Sequence, residues 1–333
     1  MFTRYWRNYP WFLQLFLFVT LMFTMLWLGR SVVWSLLPRL TGIPIKDMLE
    51  VKGNSPLPLV RASLLANSII HLCAFTIPPL IFANLTHPKP AQYLGLRLPG
   101  KPVHWLLVTG IMLGFLPLSL SLEAWMQQHV NFGKWAKDMQ LETDSAFAAY
   151  LNMKSGADLL KVFIAFAIIP PFGEELLFRG IIMRFAHKRA RFSPQLPAIL
   201  NQKPIVKERR NAMLMPIVLT AALFALMHPN PYGFLFIFTA GALLSIIYWL
   251  TGSLLCSIWA HLLFNGSQVI GIFLSAQPPA TTAQASVEQT LPIWLPIAGL
   301  VLLAASLYGL FRMKTPLPAN WSSDFAEEEK QAD

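Results

Sequence analysis

The chain holds 333 residues, 55% of them hydrophobic and 13% charged, about half of the ~25% charged expected of a soluble domain. That composition excludes an ordinary water-soluble enzyme. The net charge of +10 could suggest nucleic acid, but the basic residues lie between apolar stretches rather than along one polar face; membrane topology accounts for them and no nucleic-acid partner is expected.

Eight apolar stretches follow in order, at residues 11–29, 62–85, 103–122, 162–183, 211–227, 231–250, 253–275 and 291–311. Each approaches or exceeds the ~20 residues that cross ~30 Å of hydrocarbon. The predicted fold is therefore all-α, a polytopic membrane protein built as a bundle of about eight transmembrane helices. The first stretch follows Arg4 and Arg7 without a small-residue cleavage site and reads as a retained anchor rather than a signal peptide. Residues 38–60 and 124–160 are long loops on one side, the second with room for a short amphipathic helix. Cys73 and Cys256 fall inside apolar stretches and read as packing residues. His71, in mid-span, reads as a satisfied core residue, and His104 and Glu123, near span ends, as interfacial ones.

Residues 184–210 carry eight basic residues and one glutamate, a topology anchor near anionic headgroups. Residues 276–290 and the tail from Thr315 lack a burial pattern and are expected to be disordered. If all stretches cross and alternate, most Lys and Arg fall on the side of the two termini, which places both termini in the cytoplasm. Three regions result: 1–157, an N-terminal transmembrane region; 158–275, a core of four spans; and 276–333, an external loop, the last span and an acidic tail. Short connections favour a bacterial inner membrane.

Only the fourth stretch contains charged residues, and each ion near a membrane centre costs roughly 2.5–3.5 kcal/mol on insertion scales. Its sequence is P-P-F-G-E-E-L-L-F-R-G. Pro170, Pro171 and Gly173 predict a bend or fresh helix start. Glu175 and Arg179 are spaced i, i+4 and predict an ion pair. Glu174 lies about 100° around the helix, a carboxylate aimed elsewhere. In F-A-L-M-H, Phe224 stands one turn before His228 and can wall its ring. In H-L-L-F-N, His261 and Asn265 share a face and supply hydrogen-bond donors. A carboxylate, two histidines and an amide on three apolar spans suit water activation and oxyanion stabilisation. Counted from the cytoplasmic flank, Glu174 and His261 both sit ~15 Å deep, whereas His228, counted from Arg210, falls at roughly 27 Å.

Together, E-E-x-x-x-R, F-x-x-x-H and H-x-x-x-N resemble the motifs of the CPBP family, which takes in type II CAAX prenyl endopeptidases and bacteriocin-processing Abi membrane proteins. The resemblance covers about residues 160–275, and the T-G-S-L turn at 251–254 fits it. It implies an intramembrane endopeptidase in which Glu174 and His228 activate the attacking water and His261 and Asn265 stabilise the oxyanion. Glu175, Arg179 and Phe224 would be supporting residues. The expected substrate is a membrane-associated peptide or protein, with or without a lipid anchor, met in the bilayer. No cofactor is expected. The chain has no H-E-x-x-H, and a zinc ion, the disfavoured alternative, would draw its ligands from Glu174, Glu175, His228 and His261. Two other readings stay open: a non-catalytic scaffold or bacteriocin-immunity protein of the same fold, and a transporter.

Overall fold

The computed structural model describes residues 5–191, 213–275, 291–318 and 321–322. Most of the basic loop, the 276–290 loop and the last eleven residues, for which the sequence predicts a topology anchor and disorder, lie outside the described residues. The rest is helical, with no strand among the described residues. The main elements are α1 (Trp11–Thr41), α2 (Leu57–Thr86), α3 (Val103–His129), α4 (Lys134–Tyr150), α5 (Gly156–His187), α6 (Leu214–Leu226), α7 (Phe234–Thr251), α8 (Leu254–Leu274) and α9 (Trp294–Arg312). Seven of them, all except α4 and α6, are long and apolar enough to cross a membrane. The chain is an integral, multi-pass membrane protein.

Local chemistry sets these boundaries. α5 begins at an N-cap: the Ser155 hydroxyl accepts the Asp158 amide, and the Asp158 carboxylate accepts the Ser155 hydroxyl at 2.9 Å. α7 ends at Gly252, whose φ of 65° is the left-handed conformation that glycine supplies without a Cβ clash. α1 runs on to Thr41 through Pro38, so the first residues of the expected 38–60 loop are helix. α4 is the amphipathic helix foreseen in the second loop.

Two spans share an unusual construction. Residues 72–76 of α2 and 164–168 of α5 adopt π-helical turns, each followed by an Ile-Pro-Pro sequence, Ile77–Pro79 and Ile169–Pro171. Proline lacks an amide donor and crowds the turn before it, and a widened turn absorbs both defects without breaking the helix. The expected bend or restart before Glu174 is thus replaced by a continuous helix with a local bulge. The π-turn of α2 packs against residues 169–175 of α5, just past the bulge of that helix. A Cβ on Gly173 would lie 2.5 Å from Thr76 Oγ1 and 3.1 Å from Phe75 Cβ, so only glycine permits that approach.

Other helices also meet through small residues. Gly114 of α3 faces Gly299 of α9; a Cβ on Gly114 would lie 2.6 Å from the Gly299 carbonyl oxygen and 2.6 Å from Leu303 N. Without a hydrophobic driving force between helices in lipid, such backbone approach is a main source of association. His104 stands at a span end, as the sequence predicts, and is packed there against protein. It is fully buried at the start of α3, with Nε2 2.9 Å from the Met313 carbonyl just past α9. The tail is ordered where it is described. Thr315 N donates to Leu250 O at 2.8 Å and Leu317 N to Trp249 O at 3.0 Å, because the last carbonyls of α7 have no partner within their own helix.

Candidate active site

Glu174 and Glu175 stand side by side on α5, and both are buried. Glu175 is saturated. Its Oε1 accepts Arg179 Nη1 at 2.6 Å and lies 3.0 Å from His261 Nδ1, while its Oε2 accepts the Ser257 hydroxyl at 2.5 Å. Arg179 is itself fully buried and donates through Nη2 to the Gly241 carbonyl at 2.7 Å and through Nε to Ser245 Oγ at 3.4 Å. Its guanidinium carbon lies 5.0 Å from the centre of the Phe224 ring. Two ions are thus held in an apolar interior because each has an opposite charge and further hydrogen bonds, the condition under which burial of charge is tolerated.

Glu174 is furnished differently. Oε1 lies 3.1 Å from His71 Nε2, and Oε2, buried and without a hydrogen-bond partner, lies 3.9 Å from His261 Nε2. His228 stands within electrostatic range of the same carboxylate. Phe224 joins the histidines: its ring centre is 4.8 Å from that of His228 and 5.7 Å from that of His261, and it meets Phe178 edge-on at 5.1 Å. The expected wall beside His228 is therefore a hub for both imidazoles.

The fixed partners decide which ring nitrogens are free. His228 Nδ1 lies 2.7 Å from the Phe224 carbonyl, which can only accept; Nδ1 therefore carries a proton and Nε2 presents a lone pair in the neutral ring. Likewise the ionised Glu175, held by Arg179, requires the proton of His261 on Nδ1. His261 Nε2 is then an acceptor in the neutral ring and a donor in the imidazolium.

His228 is carried by a short element. α6 has 13 residues, about 20 Å at 1.5 Å per residue, too short to cross ~30 Å of hydrocarbon. Counting His228 from Arg210 therefore exaggerates its depth, since the helix begins only at Leu214. The turn that follows is held by polar groups: Asn230 N donates to His228 O at 2.7 Å, Gly233 N to Asn230 Oδ1 at 2.7 Å, and Asn230 Nδ2 to Glu123 Oε1 at 3.4 Å. Glu123 is more than interfacial: it ties α3 to the loop that presents His228.

Asn265 lies one turn beyond His261 on α8, and its Nδ2 donates to the Phe166 carbonyl at 3.0 Å. Phe166 sits in the π-turn of α5, where carbonyls are released from the regular ladder. One of the two amide hydrogens of Asn265 is spent on this contact.

Two site residues escape the motifs. Ser257 lies one turn before His261, and only its bond to Glu175 reveals it. His71 lies 103 residues before Glu174; its one sequence signal is a polar, ionisable residue in an otherwise apolar span. Its ring stacks on Phe75 at 4.4 Å between centres, so it is packed and aimed, and it is no bystander of the core. As for zinc, Glu175 has no free oxygen to offer, and among the described residues no three His, Cys, Asp or Glu side chains are grouped to hold a metal ion.

No curated protein and no solved structure matches the chain. Residues 156–267 match the family model described as type II CAAX prenyl endopeptidase Rce1-like. That stretch holds Glu174, Glu175, Arg179, Phe224, His228, His261 and Asn265, whereas His71 comes from outside it. The sequence motifs and this match agree on one stretch of the chain, residues 156–267, as similar to the Rce1-like type II CAAX prenyl endopeptidase domain.

Proposed function

We propose that the protein is an intramembrane endopeptidase that hydrolyses a peptide bond with a water activated by Glu174. The observation that carries this reading is the contrast between the two carboxylates. Glu175 is consumed by Arg179, Ser257 and His261, while Glu174 keeps one buried oxygen unpartnered beside imidazoles. A buried acceptor of this kind is otherwise an uncompensated cost of ~1–3 kcal/mol, which a positioned water relieves.

In the proposed reaction Glu174 Oε2 takes a proton from water held against the His228 Nε2 lone pair. The hydroxide adds to the carbonyl carbon, and the carbonyl oxygen gains the negative charge. His261, as imidazolium, donates Nε2–H to that oxygen, and Asn265 contributes its second amide hydrogen. The C–N bond then breaks, and the leaving amine takes the proton stored on Glu174. His71 holds Oε1 and fixes which oxygen faces the water, so it is a positioning residue. The proposed reaction routes no step through a metal ion.

The proposed substrate is a membrane-associated peptide or protein, with a prenylated C-terminal peptide as the first candidate. We place the protein in a bacterial inner membrane with both termini cytoplasmic. The test compares peptides released from the membrane proteome by the intact protein and by its Glu174→Gln form, which removes the base while nearly preserving shape. Products present with the first and missing with the second support the reading; identical peptide sets overturn it and favour the scaffold.

A further inference from the structure

A second cluster of polar side chains lies away from the carboxylates, where the ends of α5 and α7 meet the segment after α9. Arg184 of α5 is buried, 6% exposed. It donates through Nη2 to the Tyr93 carbonyl at 2.5 Å and through Nη1 to the Trp321 carbonyl. Its guanidinium carbon lies 4.1 Å from the centre of the Tyr93 ring and 5.0 Å from that of Trp321. Carbonyls and aromatic faces solvate a cation but do not neutralise it, and no carboxylate pairs with Arg184 among the described residues. Arg179, buried to a similar degree, has Glu175. Arg184 is the exception that needs a counter-charge.

Beside it is a cavity of about 50 Å³ lined by Arg184, Arg97, His87, Gln92, Tyr248 and Trp321 among others, with no Asp or Glu in its wall among the described residues. The Tyr248 side chain lies within electrostatic range of both Arg184 and Arg97, so the two guanidiniums converge on one place. Arg184 Nε and Trp321 Nε1 are buried and lack hydrogen-bond partners. Both are donors only. Two cations and no acid among the described residues make a wall that is complementary to an anion, and the two unspent donors belong to residues of that wall. The cavity has room for a small tetrahedral oxyanion, and it sits at the ends of the spans, at the level where headgroup phosphates lie.

We propose that this cavity binds a single phosphate-class anion, drawn either from an anionic phospholipid headgroup or from free phosphate, and that the bound anion ties the segment after α9 to α5 and α7. The inference is independent of the proteolytic reading.

The test uses the full-length chain in phosphatidylcholine nanodiscs, titrated separately with dihexanoyl phosphatidylglycerol and with inorganic phosphate. The readouts are thermal unfolding and native mass spectrometry. The expected result is a saturable rise in unfolding temperature, with one lipid retained per chain. A response to the lipid alone identifies the headgroup as the source, and an equal response to inorganic phosphate identifies the free anion. Trp321→Phe keeps the ring and removes only Nε1–H, and weakens binding about tenfold. Arg97→Gln, at the less buried wall, weakens it comparably and flattens its salt dependence. Arg184→Gln also unties the Tyr93 and Trp321 carbonyls, so the first two variants are the decisive ones. No saturable response to either probe, or unchanged affinity in both variants, overturns the proposal.

Discussion

Glu174 and Glu175 are chemically identical, and their difference lies in what surrounds them. With Glu175 saturated, its replacement acts on architecture, whereas under the proposed reaction replacement of Glu174 acts on chemistry. Glu174→Gln is expected to lower kcat at least a hundredfold, in line with loss of a general base, while the unfolding temperature in detergent stays near that of the parent. Arg179→Met should do the reverse. It leaves Glu175 charged and unpaired in the interior, a loss of about 3–5 kcal/mol, visible as a large drop in the unfolding temperature. His71 separates positioning from bulk packing. His71→Gln keeps a donor toward Glu174 Oε1 and is expected to lose about tenfold in kcat, and His71→Leu about a hundredfold, with KM unchanged in both; a rise in KM with kcat intact would assign His71 to substrate binding instead. The motif residues are legible in sequence because i, i+4 spacing on a helix is a local property. His71 is not, because its meaning depends on which helix crosses α5 at Glu174, and nothing within α2 encodes that.

At the scale of the element, the crossing of α2 and α5 rests on the π-turn of α2 and on Gly173, and the crossing of α3 and α9 on Gly114 and Gly299. The sequence marks the Pro-Pro pairs plainly. It does not say whether they break the helix or widen it, since that outcome is settled by whether the neighbouring helix satisfies the freed backbone groups, as Asn265 does for the Phe166 carbonyl. The ordered start of the tail is illegible for a similar reason: its partners are the unspent carbonyls of α7, and an uncharged, proline-containing segment gives no sign that such acceptors are near. Small residues in apolar spans are readable only as candidates for contact. Gly114→Val is expected to force the α3 and α9 backbones apart. The cost is about 1–3 kcal/mol from overpacking, measured as earlier thermal unfolding, while Gly271→Val, which meets nothing within 4 Å, should leave the transition in place.

The contacts of the whole molecule sort its connections onto two ends. Trp6 packs edge-on against Phe82 at 5.8 Å, Arg184 holds the carbonyls of Tyr93 and Trp321, and Thr315 holds that of Leu250. The first described residues, the end of α2, the end of α5, the end of α7 and the segment after α9 therefore share one end of the bundle. At the other end Gly53 N donates to Ser145 Oγ at 3.0 Å, and Arg61 pairs with Asp158 at 2.7 Å, which joins the connection between α1 and α2 to α4 and the start of α5. The chain leaving α5 enters the basic stretch that ends at Arg210, and by the positive-inside rule this excess of Lys and Arg supports the proposal that the first end is the cytoplasmic one. Both native cysteines lie within spans, one of them fully buried, which leaves a quiet background for labelling. A cysteine placed at Lys52 should react with a membrane-impermeant maleimide added outside intact cells or spheroplasts. One placed at Lys203 should react only after the membrane is opened. The opposite pattern would invert the protein and place the entire assembly, Glu174 included, under access from the other side.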